Sequence, residues 1–416
     1  MTRSVLVAIF CLGSIASGAL AAELTITGNV SQTVDGSDNY FQSSTPSGPT
    51  IRSLSALNLD FLARMPTTTY DLKTNYSYYH YFGPGAADAG SITSGEPAGA
   101  AFSIDHTADP LTKYNFAVSW QRADVTGAQL LQTGTAIVHG FSDTFNASGG
   151  VTRELSRTDS ISWSGQASKV SFTAPNQTPY VDLTSTGIWN HRLSETTSLI
   201  NTVALDYNAQ DDPAQDQRLF WTITTGVKSQ LSNRLTVNGT IGMNYINAWQ
   251  NGPSSAPPVI PIIGAPPQLQ PGAGHGWLGN VGLTYQLLKT TQISLTAGQS
   301  TTPTILGSLL QSQTIGFNLT HNINSLSTLS FSTQYAVNTQ SANASSLLGG
   351  SASTAAGGLT SDLFTASANY SYRWTREWRS NLSYTYTQVS GISGSGGLVK
   401  SDTVTVSLTR DFTILP

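Results

Sequence analysis

Asp105 and His106 are adjacent, and an acid beside an imidazole is raw material for general acid–base chemistry. In an extended chain neighbours point to opposite faces, so this pair cannot act together directly. The other histidines, His80, His139, His191, His275 and His321, fall singly, without metal-ligand spacing. Serine and threonine are spread so evenly that chance serine–histidine pairings carry no weight. No phosphate loop or dinucleotide fingerprint stands out. The expectation is a protein that is not an enzyme, with no catalytic residue, no metal ligand and no cofactor.

The residues whose placement does suggest a task are scattered charges on the polar side of alternating segments: Asp60, Asp71, Lys73, Asp105, Lys113, Asp182, Lys228 and Arg373. Facing a water-filled lumen they stay hydrated, whereas Arg or Lys facing lipid at mid-membrane costs ~2–4 kcal/mol. They are candidate pore-lining groups. Both signs occur, so no strong ion preference follows, and hydration of the wall explains any single one of them. A second set, Tyr70, Trp120, Trp189, Trp221, Trp249, Trp277, Trp374 and Trp378, clusters near segment ends, where amphipathic rings favour the membrane–water boundary. Tyr76, Tyr78, Tyr79, His80, Tyr81 and Phe82 form a denser patch, suited to an interfacial girdle or to stacking on sugar rings.

The elements that must carry these residues have a period of two. Leu24, Ile26, Gly28 and Val30 alternate with Thr25, Thr27, Asn29 and Ser31. Leu235, Val237, Gly239, Ile241, Met243 and Tyr245 alternate with Thr236, Asn238, Thr240, Gly242 and Asn244. The same rhythm recurs from Trp277 to Leu287, from Ile315 to Leu319, from Phe364 to Tyr372 and from Val404 to Phe412. Each stretch is about the ~9–11 residues with which a tilted strand crosses a bilayer. The polar sides hold Thr, Ser, Asn, Gln and Gly in place of the Lys and Glu of a soluble sheet, as a lumen wall would.

Short turns fall near Pro66, Pro110, Ser156, Glu195, Asn233, Thr290, Ser325 and Arg376, and longer polar segments lie between them at 35–50, 83–97, 125–134, 211–217, 250–276 and 339–360. That asymmetry matches barrels with short periplasmic turns and long extracellular loops. The fold expected is all-β: a single large antiparallel transmembrane β-barrel of about 18 strands, or 16 if residues 136–174 are misread. In that region Ile161 and Trp163 share one parity and Val170 and Phe172 the other, which implies a bulge or a strand merged with a loop. Residues 250–276 hold seven prolines around Val259-Ile260-Pro261-Ile262-Ile263, apolar enough to fold into the lumen or to pack on the rim. Residues 341–358, rich in Ala, Ser and Gly, read as a mobile loop.

Composition agrees. Charged residues are 10% of 416, well below the ~25% of soluble domains, yet hydrophobic residues are only 39%. Residues 1–21 read as a signal peptide: Arg3, an apolar run to Ala19, then a small-x-small site ending at Ala21. Its removal takes away the single cysteine, Cys11, and leaves 18 basic residues against 23 acidic, a net charge of −5. That is too weak and dispersed to imply nucleic acid as a partner. Residues 22–416 form the barrel domain.

The export signal, the hairpin rhythm and the final strand from Asp402 to Phe412 resemble Gram-negative outer-membrane barrels of the porin type, some of which are encoded with exopolysaccharide export machinery. The resemblance implies a cell-outer-membrane location, contact with lipid and lipopolysaccharide, and insertion by the barrel assembly machinery. It also assigns Phe412 as the terminal aromatic that this machinery reads, although Thr413-Ile414-Leu415-Pro416 follows it. Two functional readings result: a channel for small hydrophilic solutes, or a barrel that serves surface-polysaccharide export or the envelope structure without a free pore. A secreted solenoid adhesin is disfavoured because the turns lack a fixed repeat. Nothing in the sequence sets the oligomeric state.

Overall fold

The computed structural model describes residues 23–90, 93–125, 140–173, 177–211, 216–250, 272–303, 309–341, 359–391 and 398–415. Residues 1–21, expected to be a signal peptide, therefore lie outside the described residues. The alternating stretches form β1 (Glu23–Ser37), β2 (Thr50–Arg64), β3 (Thr68–Phe82), β4 (Ser94–Gly95), β5 (Ala98–Asp109) and β6 (Thr112–Asp124). Next come β7 (Phe141–Glu154), β8 (Asp159–Phe172), β9 (Tyr180–Arg192), β10 (Thr197–Gln210), β11 (Asp216–Ser232) and β12 (Leu235–Gln250). The order ends with β13 (Gly272–Leu288), β14 (Thr291–Pro303), β15 (Leu309–Asn322), β16 (Ser327–Ser341), β17 (Leu359–Arg373), β18 (Trp378–Ser390) and β19 (Val399–Leu415).

Consecutive strands pair antiparallel, and β19 returns to pair with β1, so the sheet closes on itself without a free edge. The two-residue β4 lies on β3 above the stretch where β3 pairs with β5. The wall itself has eighteen strands, the larger of the two expected numbers. Among the described residues no helix is long and apolar enough to cross a membrane.

All eight short turns lie at one end of the cylinder, together with Glu23 and Leu415. Their chemistry is local. A side-chain oxygen at the start of the turn accepts backbone N–H groups two or three residues on: Asp109 from Leu111, Asn324 from Leu326 and Ser327, Ser232 from Arg234 and Leu235. Ser156 and Thr375 do the same. Asp, Asn, Ser and Thr thus reverse the chain without help from distant residues.

The apolar side of every wall strand faces outward. Ile223, Ile241, Trp277 and Ile315 are each about 60% exposed, in a row that continues around the cylinder through Val30, Leu57, Phe116, Phe145, Trp163, Val203, Phe331, Leu382 and Val406. Apolar area costs roughly 25 cal/mol per Å² to leave in water. A belt of this size therefore calls for an apolar solvent, and a bilayer supplies it.

Three expectations change. The β7–β8 and β8–β9 registers run without interruption, so neither a bulge nor a merged loop explains Val170 and Phe172. They face inward at the top of β8, where Val170 is buried and Phe172 packs 6.2 Å from Tyr180. The connection expected at 125–134 reaches Gly140, and residues 126–139 lie outside the described ones. The strands run 12 to 17 residues, longer than a bilayer requires, because β11, β12, β13 and β19 continue into segments read as loops or tail. The proline-rich core of 250–276 and nearly all of 341–358 also lie outside the described residues.

Candidate functional site

Because successive side chains alternate, every residue between two outward apolar neighbours points into the cylinder. Asp60, Asp71, Lys73, Asp105, Lys113, Asp182, Lys228 and Arg373 all occupy inward parity. Asp60, Asp71 and Lys73 gather near the short-turn end, where Lys73 Nζ lies 2.5 Å from Asp71 Oδ2 and the Lys73 side chain is 60% exposed. Beside them Asn29, Asn58, Asn75 and Asp411 border a polar pocket of about 850 Å³. Asp182 lies nearer the opposite end, bonded to Asn208.

Several inward charges escape the sequence reading. Arg52 reaches Asp35 at 2.5 Å, Arg379 reaches Asp411 at 3.2 Å, and Asp206 and Arg218 share the wall with Asp182. The signal was present as parity: Asp35, Arg52, Arg218 and Arg379 fall at boundaries drawn between strand and loop, whereas Asp206 and Asp411 lie within strands and were passed over. With them the inward wall holds acids and bases in near balance, among them Asp35, Asp60, Asp71, Asp105, Asp182, Asp206 and Asp411 against Arg52, Lys73, Lys113, Arg218, Lys228, Arg373 and Arg379, with Glu23 and Glu154 against Arg64 and Arg192 at the short-turn end. From β12 through β16 the described inward positions carry no Asp, Glu, Lys or Arg, only hydroxyls, amides, glycines and a few apolar residues.

Exposure of the inward face changes along the axis. Toward the long-connection end Tyr79, Arg218, Ile246, Ala248 and Val389 point inward yet are at most 2% exposed. Among the described segments, residues 38–49 supply part of this cover. Phe41 is buried against Tyr79, Tyr81 and Ala89, its ring 5.2 Å from Tyr81, while Arg52 lies 5.4 Å over Tyr40. Burial pushes the Tyr40 phenol above its ordinary value, with Arg52 pulling the other way. The tyrosine patch on β3 is therefore two patches. Tyr76, Tyr78 and Phe82 face outward, whereas Tyr79 and Tyr81 are packed in the mouth and offer no free face for a sugar.

The boundary aromatics fall in two bands. Tyr70, Trp189, Trp374 and Trp378 lie toward the short-turn end, and Trp120, Trp221, Trp249 and Trp277 toward the other. Phe412 faces outward on β19 opposite Gly28 and against Leu59.

Asp105 and His106 face opposite sides, and His106 Nδ1 pairs with Thr68 Oγ1 at 2.9 Å. At one short turn Asp159 holds His191 at 2.7 Å and accepts from Ser156 at 2.8 Å. The serine hydroxyl is bonded to the carboxylate, not to the imidazole, so the group braces the turn and lacks the order of a nucleophilic triad. Among the described residues no three His, Cys, Asp or Glu side chains gather as a metal site.

No protein-family model matches the chain, and no curated protein sequence matches it. Solved structures do. Copper transporter OprC superposes with a TM-score of 0.51 at 9% identity, over 94% of this chain and 83% of that one. A BenF-like porin from Pseudomonas fluorescens Pf-5 gives 0.50 at 8% identity, over 94% and 99%. Pseudomonas aeruginosa OccK2 gives 0.50 at 6% identity, over 95% and 99%. At such identities the likeness is one of fold: a large closed antiparallel barrel of outer-membrane type. None of these three is described as a polysaccharide exporter, and the expected link to exopolysaccharide export gains no support from them.

Proposed function

We propose that the chain is a porin-like channel of the Gram-negative outer membrane, admitting small hydrophilic solutes down their gradient. One observation carries this reading. A closed cylinder is greasy outside and lined inside with hydroxyls, amides and charges of both signs in near balance. A wall of that chemistry exchanges hydrogen bonds with polar solutes while giving a passing ion little net field. The eight charges identified from the sequence, joined by Arg52, Asp206 and Arg379, are proposed as the groups that solutes meet. Phe412 is proposed as the aromatic read during insertion, after export and removal of residues 1–21. The buried inward face toward the long-connection end supports a lumen wide on the periplasmic side and narrow on the extracellular side.

Purified protein in planar bilayers tests this. Discrete steady conductance steps, with a reversal potential near zero under a salt gradient, are expected, and liposomes should swell in small neutral sugars but not in large ones. A bilayer that stays silent although the protein has inserted refutes the channel reading.

A further inference from the structure

We infer that a groove on the outward face of β5 to β8 is a seat for one lipopolysaccharide molecule, with an acyl chain in the groove and a lipid A phosphate on Lys169. This rests on the outer-membrane reading above. The cross-strand registers place Ala100, Trp120, Phe145 and Lys169 along one rung and Phe102, Ala147 and Ala167 along the next. The alanines make a floor and the aromatic rings make walls, and the depression encloses about 630 Å³. Trp120 and Phe145 stand 6.5 Å apart, so the wall is continuous across β6 and β7.

Lys169 places a cation among the apolar residues of this groove. It shares outward parity with Ile161 and Trp163, and its cross-strand partners Phe145 and Val181 are both exposed apolar residues. Among the described ion pairs it has no carboxylate, and the nearby Asp143 is matched with Arg122. A cation among lipid chains is tolerable near the interface, where it can extend to the headgroups. Lys169 stands three residues from Phe172, the long-connection end of β8, hence on the outer-leaflet side. The anion found there in an outer membrane is the phosphate of lipid A, and its saturated chains suit a shallow apolar trough.

The test is native mass spectrometry of protein folded in lipopolysaccharide-free detergent and offered lipid A or phosphatidylglycerol. Wild type should retain one lipid A in preference to phosphatidylglycerol. Lys169→Gln should weaken retention at least tenfold, and Ala147→Leu, which fills the trough, should weaken it while Lys169 is kept. Ile315→Leu on the far wall should change nothing. Equal retention by Lys169→Gln and wild type overturns the proposal, as does phosphatidylglycerol binding as well as lipid A. Heat-modifiable gel migration, read in parallel, reports insertion. A variant that inserts and conducts normally but loses lipid A supports the seat alone, and a wild type that never inserts sinks the membrane reading beneath it.

Discussion

The ring of Phe412 lies across Gly28 on the outer face of the barrel's closing seam. The two residues are register partners between β19 and β1, and a Cβ on Gly28 would stand 2.7 Å from Phe412 Cζ. The same Cβ would meet the Asn58 carbonyl oxygen at 2.8 Å, and that backbone atom cannot swing aside. The missing side chain thus lets Phe412 and Leu59 close over the last seam to form. Gly28→Ala should destabilise the folded barrel by about 1–3 kcal/mol, as overpacking does. A lower urea midpoint in detergent would show it. Combined with Phe412→Ala, the loss should be clearly less than additive. Additive losses would mean that the ring does not sit where described.

Cys11 is the single cysteine of the sequence, so in a Cys11→Ser background single introduced cysteines can report each face. Along β11, cysteines at Thr222 and Thr224 should react with a water-soluble maleimide, while those at Trp221 and Ile223 should be shielded by lipid. Uniform reactivity along these four positions would refute the parity that places every pore candidate.

Most of the architecture was legible because it rests on local chemistry. Period-two alternation sets the faces, and turn-opening residues such as Asp109 and Asn324 hold their own reversals. What escaped depends on contacts distant in sequence. Arg52 and Arg218 looked like loop-edge residues because nothing local says that β2 and β11 run on past the bilayer. Tyr79 and Tyr81 read with Tyr76 and Tyr78 as one girdle, since only the folding of residues 38–49 onto them separates a packed mouth from a lipid face. Val170 seemed a parity error for the same reason, since lumen positions near that mouth are dry enough to accept apolar side chains.

A charge distinguishes the two sides of one strand sharply. Ile315 is 58% exposed to the outside, while its neighbour Thr314 faces the lumen. Ile315→Arg should cost ~2–4 kcal/mol if it lies at mid-membrane depth, whereas Thr314→Arg should fold almost as wild type and only perturb conduction. Folding yield into lipid vesicles and urea unfolding read the difference. Equal costs would place both residues in water.

The mouth should respond to pH through Tyr40. Arg52 bonds Asp35 through Nε at 2.7 Å and lies over the Tyr40 ring, which packs 5.1 Å from Phe41, and these contacts hold residues 38–49 against the lumen wall. Burial raises the Tyr40 phenol above its ordinary value of 10.0. A raised folded value means that docking is fully supported below pH ~10 and is lost as pH climbs through the folded value, when the phenolate prefers the water-exposed, released loop. Single-channel current should therefore become noisier only at strongly alkaline pH. Tyr40→Phe should remove that response, and Arg52→Met should make the current noisy already at neutral pH by taking away the clamp. A wild-type alkaline transition that persists unchanged in Tyr40→Phe would assign it to another group.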